Sequence, residues 1–245
     1  QQAKQHEADL DRLRSEHDQR IKDLQTQLLT QPQTSSQVMH RTKRATRKFD
    51  LSEDLTRILI DQQLVNAGWE ADSLDLTYKK DARPEKGKNK AIAEWPTSIP
   101  NADADYVLFA GLTPLAIVEA KRQRINVADR IPQAARYSRE YRFAPEQLKP
   151  WLEAGHPTAW NDGEGKIFQV PFAFACNGRP YIKQLATHSG TWFRDLRSPS
   201  NTARALQDFH KPEDLRDLLK RSRAEAEARL KEEGFAYLKL RDYQE

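Results

Sequence analysis

The chain has 245 residues, 38% hydrophobic and 31% charged, with a formal net charge of +4, which is enough for one domain with a full core and extensions. Cys176 is the only cysteine, which excludes an internal disulfide, and no Cys/His cluster has zinc-ligand spacing. No run approaches the roughly 18 apolar residues of a membrane span and no secretory h-region is present, so a cytoplasmic protein with no membrane association is expected.

Residues 1–32 read as an amphipathic helix, because Leu10, Leu13, His17, Ile21, Leu24 and Leu28 recur in steps of three and four before Pro32. A short coiled coil and a lone surface helix both fit. Residues 33–49 form a linker in which Arg41, Lys43, Arg44, Arg47 and Lys48 place five positive charges within eight residues. It is either a solvated connector or a phosphate contact.

A globular domain is expected over 50–188. Ser52 can cap a helix carrying Leu55, Ile58, Leu59, Leu64 and Val65 at helical period and ending at Gly68. After a Lys-rich stretch, strands are expected at Ala91–Trp95, Asp105–Phe109 and Leu115–Glu119, the last two joined by the turn Gly111–Pro114. A helix over 128–143 follows, then strands at Phe168–Ala175 and Tyr181–Gln184 linked by the turn Asn177–Pro180. Residues 189–245 read as a linker and a long helix, Pro212–Glu233, stopped by Gly234. This order predicts an α/β fold: a mixed sheet flanked by helices, with an N-terminal helical arm and a C-terminal helical linker.

The chemistry concentrates at the ends of two of these strands. A hairpin sets the start of the strand carrying Asp105 beside the end of the strand carrying Glu119 and Lys121. Alternation puts Glu119 and Lys121 on one face, while Ala120 offers its backbone carbonyl. Two carboxylates, a carbonyl and an ammonium suit Mg2+, which keeps several waters and binds phosphate oxygens. Glu164-Gly165-Lys166 repeats the Glu-x-Lys pattern, but among Asn161, Asp162 and Gly163 with no apolar strand before it. It reads as a loop.

Two helical pairs four residues apart complete the picture, Glu53 with Arg57 and Gln133 with Tyr137. Each is either an ordinary helix-face pair or part of the site, with Glu53 as a candidate outer or second-metal ligand. Arg122, Arg124, Arg130, Arg136, Arg139 and Arg142 cluster at and beyond the lysine, and the last three would share one helical face able to follow a DNA backbone or simply to meet solvent.

Glu-x-x-x-Arg, Asp-Tyr, Glu-Ala-Lys and Gln-x-x-x-Tyr, in that order, resemble the nuclease domain of type I restriction enzyme motor subunits, in the PD-(D/E)xK superfamily, over residues 50–245. Ala91–Thr97 and Thr191–Arg197 resemble stretches of the same family, with no chemical role read from them. The resemblance implies a restriction-endonuclease-like sheet, Asp105 and Glu119 as metal ligands, Lys121 as the catalytic lysine, and Gln133 and Tyr137 as support for the site or DNA, with Ala104 standing where the superfamily name has proline. It implies Mg2+ as cofactor, replaceable by Mn2+, cleavage of double-stranded DNA coupled to translocation, and modification (methyltransferase) and specificity subunits as partners. Leu240–Gln244 resembles the glutamine motif that opens superfamily 2 helicases, with Gln244 on adenine. No Gly-x-x-x-x-Gly-Lys-Ser/Thr occurs, so ATP use is expected only of a full-length protein. The alternatives are a non-catalytic DNA-binding or assembly module and a stand-alone repair nuclease of the same superfamily.

Overall fold

The computed structural model describes residues 53–161, 163–221 and 223–232. The arm, the basic linker and the Gln244 motif lie outside the described residues. A seven-stranded mixed sheet organises the domain. Helix α1 (Glu53–Asn66) leads into β1 (Glu70–Ala71), β2 (Asn89–Pro96), β3 (Asp103–Ala110) and β4 (Thr113–Ala120). Helix α2 (Ile131–Arg139), a single turn α3 (Pro150–Glu153), β5 (Trp160–Asn161) and β6 (Ile167–Phe168) come before β7 (Phe172–Cys176), β8 (Thr191–Asp195) and β9 (Arg204–Leu206). Helices α4 (Pro212–Lys220) and α5 (Arg223–Glu232) close the described chain. The order across the sheet is β1-β2-β3-β4-β7-β8-β9, while β5 and β6 form a separate ribbon.

β4 and β7 are parallel, and the return between them needs the crossover that α2 provides. β2–β3, β3–β4, β7–β8 and β8–β9 are antiparallel. One face of the sheet buries Ile60 and Leu64 of α1 with Leu215 and Leu219 of α4, and the other buries Ala134, Ala135 and Tyr137 of α2. The fully buried runs of β4 and β7 are therefore covered on both sides. Gly111, at φ 62°, makes the tight β3–β4 turn, a backbone that side chains rarely tolerate.

Several elements depart from the sequence expectation. The helix expected over 128–143 is a 3₁₀ turn, Ala128–Arg130, and then α2, which ends at Arg139. Tyr141 turns into the second core and stacks on Trp95 at 6.1 Å between ring centroids, so Arg142 lies off the helical face expected to carry it with Arg136 and Arg139. Phe168–Ala175 is split by Pro171, which has no N–H for the ladder.

Tyr181–Gln184 forms no strand. Cys176 pairs with Thr191 and Asn177 N–H donates to Gly190 O, so β7 returns through a long loop containing the 3₁₀ stretch Lys183–His188. The long final helix is broken at Arg221, whose backbone is extended at ψ 123°. Arg197 donates there to the carbonyls of Leu219 and Arg221, at 2.8 and 3.3 Å, which satisfies acceptors at the helix end. On α1, Val65 is exposed, and Ile60 and Asp61 take buried positions instead.

Candidate active site

The sheet forks at one end. The β3–β4 ladder runs from Ala110 with Thr113 to Tyr106 with Val118 and stops. Beyond that rung β3 stays paired with β2 as far as Asp103, while β4 stays paired with β7 as far as Ala120. Asp105 and Glu119 are the next residue on each side of the opening. The Asp105 carboxylate spans it, because Oδ2 accepts the Ala120 N–H at 2.8 Å, standing in for the strand carbonyl that has moved away.

Glu119 is only 2% exposed. Burial, and then repulsion by the Asp105 charge, push its carboxyl up to about 7, against the opposing pull of Lys121 and Arg130. The Lys121 ammonium pairs with the Glu119 carboxylate. Lys121 stands one residue past β4, held by its own N–H donating to Cys176 O at 2.8 Å. The loop beyond it is tied down by Asn177, whose buried amide donates to Gln123 O at 3.2 Å and Ile125 O at 2.8 Å. By sequence Asn177 is a turn residue. The structure makes it the clamp on the segment leaving the lysine.

Arg57 reaches from α1 to this fork. Its Nη2 donates to Asp105 Oδ1 at 3.1 Å, and its Nη1 lies 3.6 Å from Glu94 Oε1. Glu94, which carries no role in the sequence reading, also meets Arg57 at this fork. It follows in register on β2, between the rungs Ala93 with Tyr106 and Trp95 with Ala104, which sets it level with Asp105. Its φ of 53° is left-handed backbone inside a strand, a conformation that costs about 1–3 kcal/mol for a residue with a side chain. The kink breaks the alternation of faces: Ile92 and Trp95 enter the same core although three residues apart. Lys79 holds the other side of Glu94, at 3.1 Å from Oε2, and reaches Asp103 at 3.3 Å. The available signal was a charged residue in the apolar run Ala91-Ile92-Ala93-Glu94-Trp95.

The remaining candidates are more dispersed. Glu53 opens α1, and its side chain lies outside the described residues. Gln133 Nε2 donates to Tyr137 Oη at 3.1 Å on α2, which packs on β4 and β7. Arg136 is exposed, and Arg139 lies over the Phe168 ring at 5.6 Å. A second buried carboxylate, Asp61, accepts from Ser73 N–H at 2.9 Å, Ser73 Oγ at 2.7 Å and Tyr106 Oη at 2.9 Å. Burial raises it to about 6 despite these bonds. With three neutral donors around it, Asp61 ties α1 to the sheet rather than joining the fork.

Among the described residues, no group of three or more His, Cys, Asp or Glu side chains is placed to hold a metal ion. The fork instead supplies two carboxylates. Burial first, and then their mutual repulsion, raise the proton affinity of Glu119, and a divalent cation would relieve both. Two protein carboxylates plus water suit Mg2+, which seldom takes an all-protein cage.

A mixed sheet between helices, with acids and a lysine at the end of adjacent strands, is a restriction-endonuclease-like architecture. The chain belongs to the type I restriction enzyme endonuclease subunit family: residues 70–219 match the model described as the second domain of the type I restriction enzyme EcoKI endonuclease subunit. It is 43% identical over 189 residues to the type I restriction enzyme EcoKI endonuclease subunit of Escherichia coli (strain K12), an alignment covering 71% of this chain and 16% of that protein. The chain thus spans a minor part of its relative's length. No solved structure gives a significant match, and no helix among the described residues is long and apolar enough to cross a membrane.

Proposed function

We propose that this chain carries the phosphodiester-cleaving site of a DNA endonuclease subunit, with Asp105 and Glu119 binding a divalent cation, Mg2+ first, and Lys121 as the catalytic lysine. The observation that carries the reading is the fork between β3 and β4, which brings Asp105 against Ala120 N–H and beside Glu119, with the Lys121 ammonium on Glu119. Double-stranded DNA is the proposed substrate, in an assembly with modification and specificity subunits, and cleavage is coupled to ATP-driven translocation in a longer protein.

When bound, the cation supplies Lewis-acid polarisation of a phosphate oxygen and lowers the pKa of water. Asp105 and Glu119 orient it, and their ionised forms are the competent ones. Lys121 Nζ, partly exposed beside Glu119, donates toward the phosphate and stabilises charge that builds on its oxygens as water attacks in line and an ester P–O bond breaks. The clamp of Asn177 fixes the backbone that follows Lys121, and Glu119 holds the ammonium itself. Gln133 and Tyr137 support the site from α2, and Arg136 offers a charge to the DNA backbone. The test is cleavage by the assembled enzyme: Asp105→Asn or Lys121→Ala should abolish it without disturbing subunit assembly, and full restriction by either variant overturns the reading.

A further inference from the structure

The Asp105 carboxylate has a partner on each oxygen: Ala120 N–H on Oδ2 and Arg57 on Oδ1. The first bond is part of the strand fork and holds the backbone. The second is a side-chain contact, and it sets a positive charge on Oδ1, against which a cation bound on that side would compete. A guanidinium and a dication on the same carboxylate oxygen repel each other, so loading the Oδ1 side with a cation favours a shift of Arg57 away from it.

Glu94 is placed to receive it. Arg57 Nη1 is already 3.6 Å from Glu94 Oε1, beyond a hydrogen bond, and a movement of less than about one ångström would make one of normal length near 2.9 Å. Lys79 engages Oε2 and leaves Oε1 facing Arg57. The left-handed kink at φ 53° holds Glu94 in this place, level with Asp105 across the β2–β3 pair. Such strain persists only where the surrounding fold imposes it, and it gathers at working sites.

We propose that Glu94 is a positioning residue that acts through Arg57: it takes the guanidinium when a divalent cation occupies the Oδ1 side of Asp105, and so tunes cation affinity without being a ligand. This inference rests on the metal-site reading given above and adds a residue to it.

Calorimetric titration of the chain with Mn2+ tests it, on the wild type, Glu94→Gln, Arg57→Gln, the double variant and Asp105→Ala, with melting curves to establish that each is folded. Glu94→Gln should weaken Mn2+ binding by about tenfold, because a neutral amide is a poorer seat for the guanidinium. Arg57→Gln should tighten it several-fold, since nothing then has to leave Oδ1. In the double variant, adding Glu94→Gln to Arg57→Gln should change nothing further, a non-additivity that a ligand or a purely structural residue would not produce. Equal weakening by Glu94→Gln in both backgrounds, or none in either, overturns the inference. Asp105→Ala separates the two levels: if it binds Mn2+ like the wild type, the metal-site reading itself falls, whereas if it abolishes binding while Glu94→Gln leaves binding untouched, only the role of Glu94 falls.

Discussion

Glu119-Ala120-Lys121 and Glu164-Gly165-Lys166 share one pattern, and in both the lysine pairs with the glutamate two residues before it. In the loop copy the two side chains are 76% and 58% exposed, and water screens a pair of that kind to little net effect. In the strand copy Glu119 is buried and Asp105 stands beside it, so its proton affinity rises and a cation gains a reason to bind. The spacing of glutamate and lysine is therefore common to both; burial and a second carboxylate separate them.

The sharpest way to break this comparison is cleavage. Asp105→Asn or Lys121→Ala should lower DNA cleavage by the assembled enzyme by on the order of 10²–10³-fold or more, as expected when a preorganised charge is removed from a transition state, while Glu164→Gln and Lys166→Ala should leave it at wild-type level. Similar losses in both pairs would mean that the strand location carries no special weight.

Thermal stability gives the next largest difference. Mg2+ at about 100 times its Kd should stabilise the chain by about 2.7 kcal/mol. The gain should vanish in Asp105→Ala and survive in Glu164→Gln. A gain that persists in Asp105→Ala would place the metal elsewhere.

The pH dependence then isolates Glu119. Its folded carboxyl titrates near 7 against an ordinary 4.5, so between those values the native state holds more protons than the unfolded chain, and stability falls as pH rises. Without metal this amounts to on the order of 3 kcal/mol, lost as pH rises from about 4.5 through about 7 and complete by about pH 8. Asp61, raised to about 6, contributes in the same direction. The difference between wild type and Glu119→Gln in denaturant unfolding from pH 5 to 8 should therefore report Glu119 alone, with the variant showing the flatter profile. Parallel profiles would disprove the raised proton affinity. The smallest effect belongs to the loop copy, where Glu164→Ala or Lys166→Ala should change stability by no more than about 0.5 kcal/mol.

Much of the fold around the site is readable without coordinates. Strands β2, β3 and β4 are runs rich in apolar residues with a glycine turn between the last two, a pattern that signals neighbouring strands. The parts that resisted reading depend on distant partners. Thr191–Asp195 becomes a strand because β7 offers it an edge after a long loop, whereas Asn177–Pro180, with a strong local turn signal, leads into no strand at all. The break after Lys220 follows from Arg197 lying against the helix end.

By itself the amino-acid sequence determined the class of fold and the pairing of a carboxylate-bearing strand with a Glu-x-Lys strand, because both arise from residues close along the chain and from the two-residue alternation of side chains. Tertiary structure decided which charges meet across strands and helices. Arg57 reaches Asp105 and Glu94 from a helix far back in the chain, and the kink at Glu94 accompanies the entry of Ile92 and Trp95 into one core. Electrostatic contact depends on distance in space, and spacing along a chain carries no measure of it once the partners lie on separate elements.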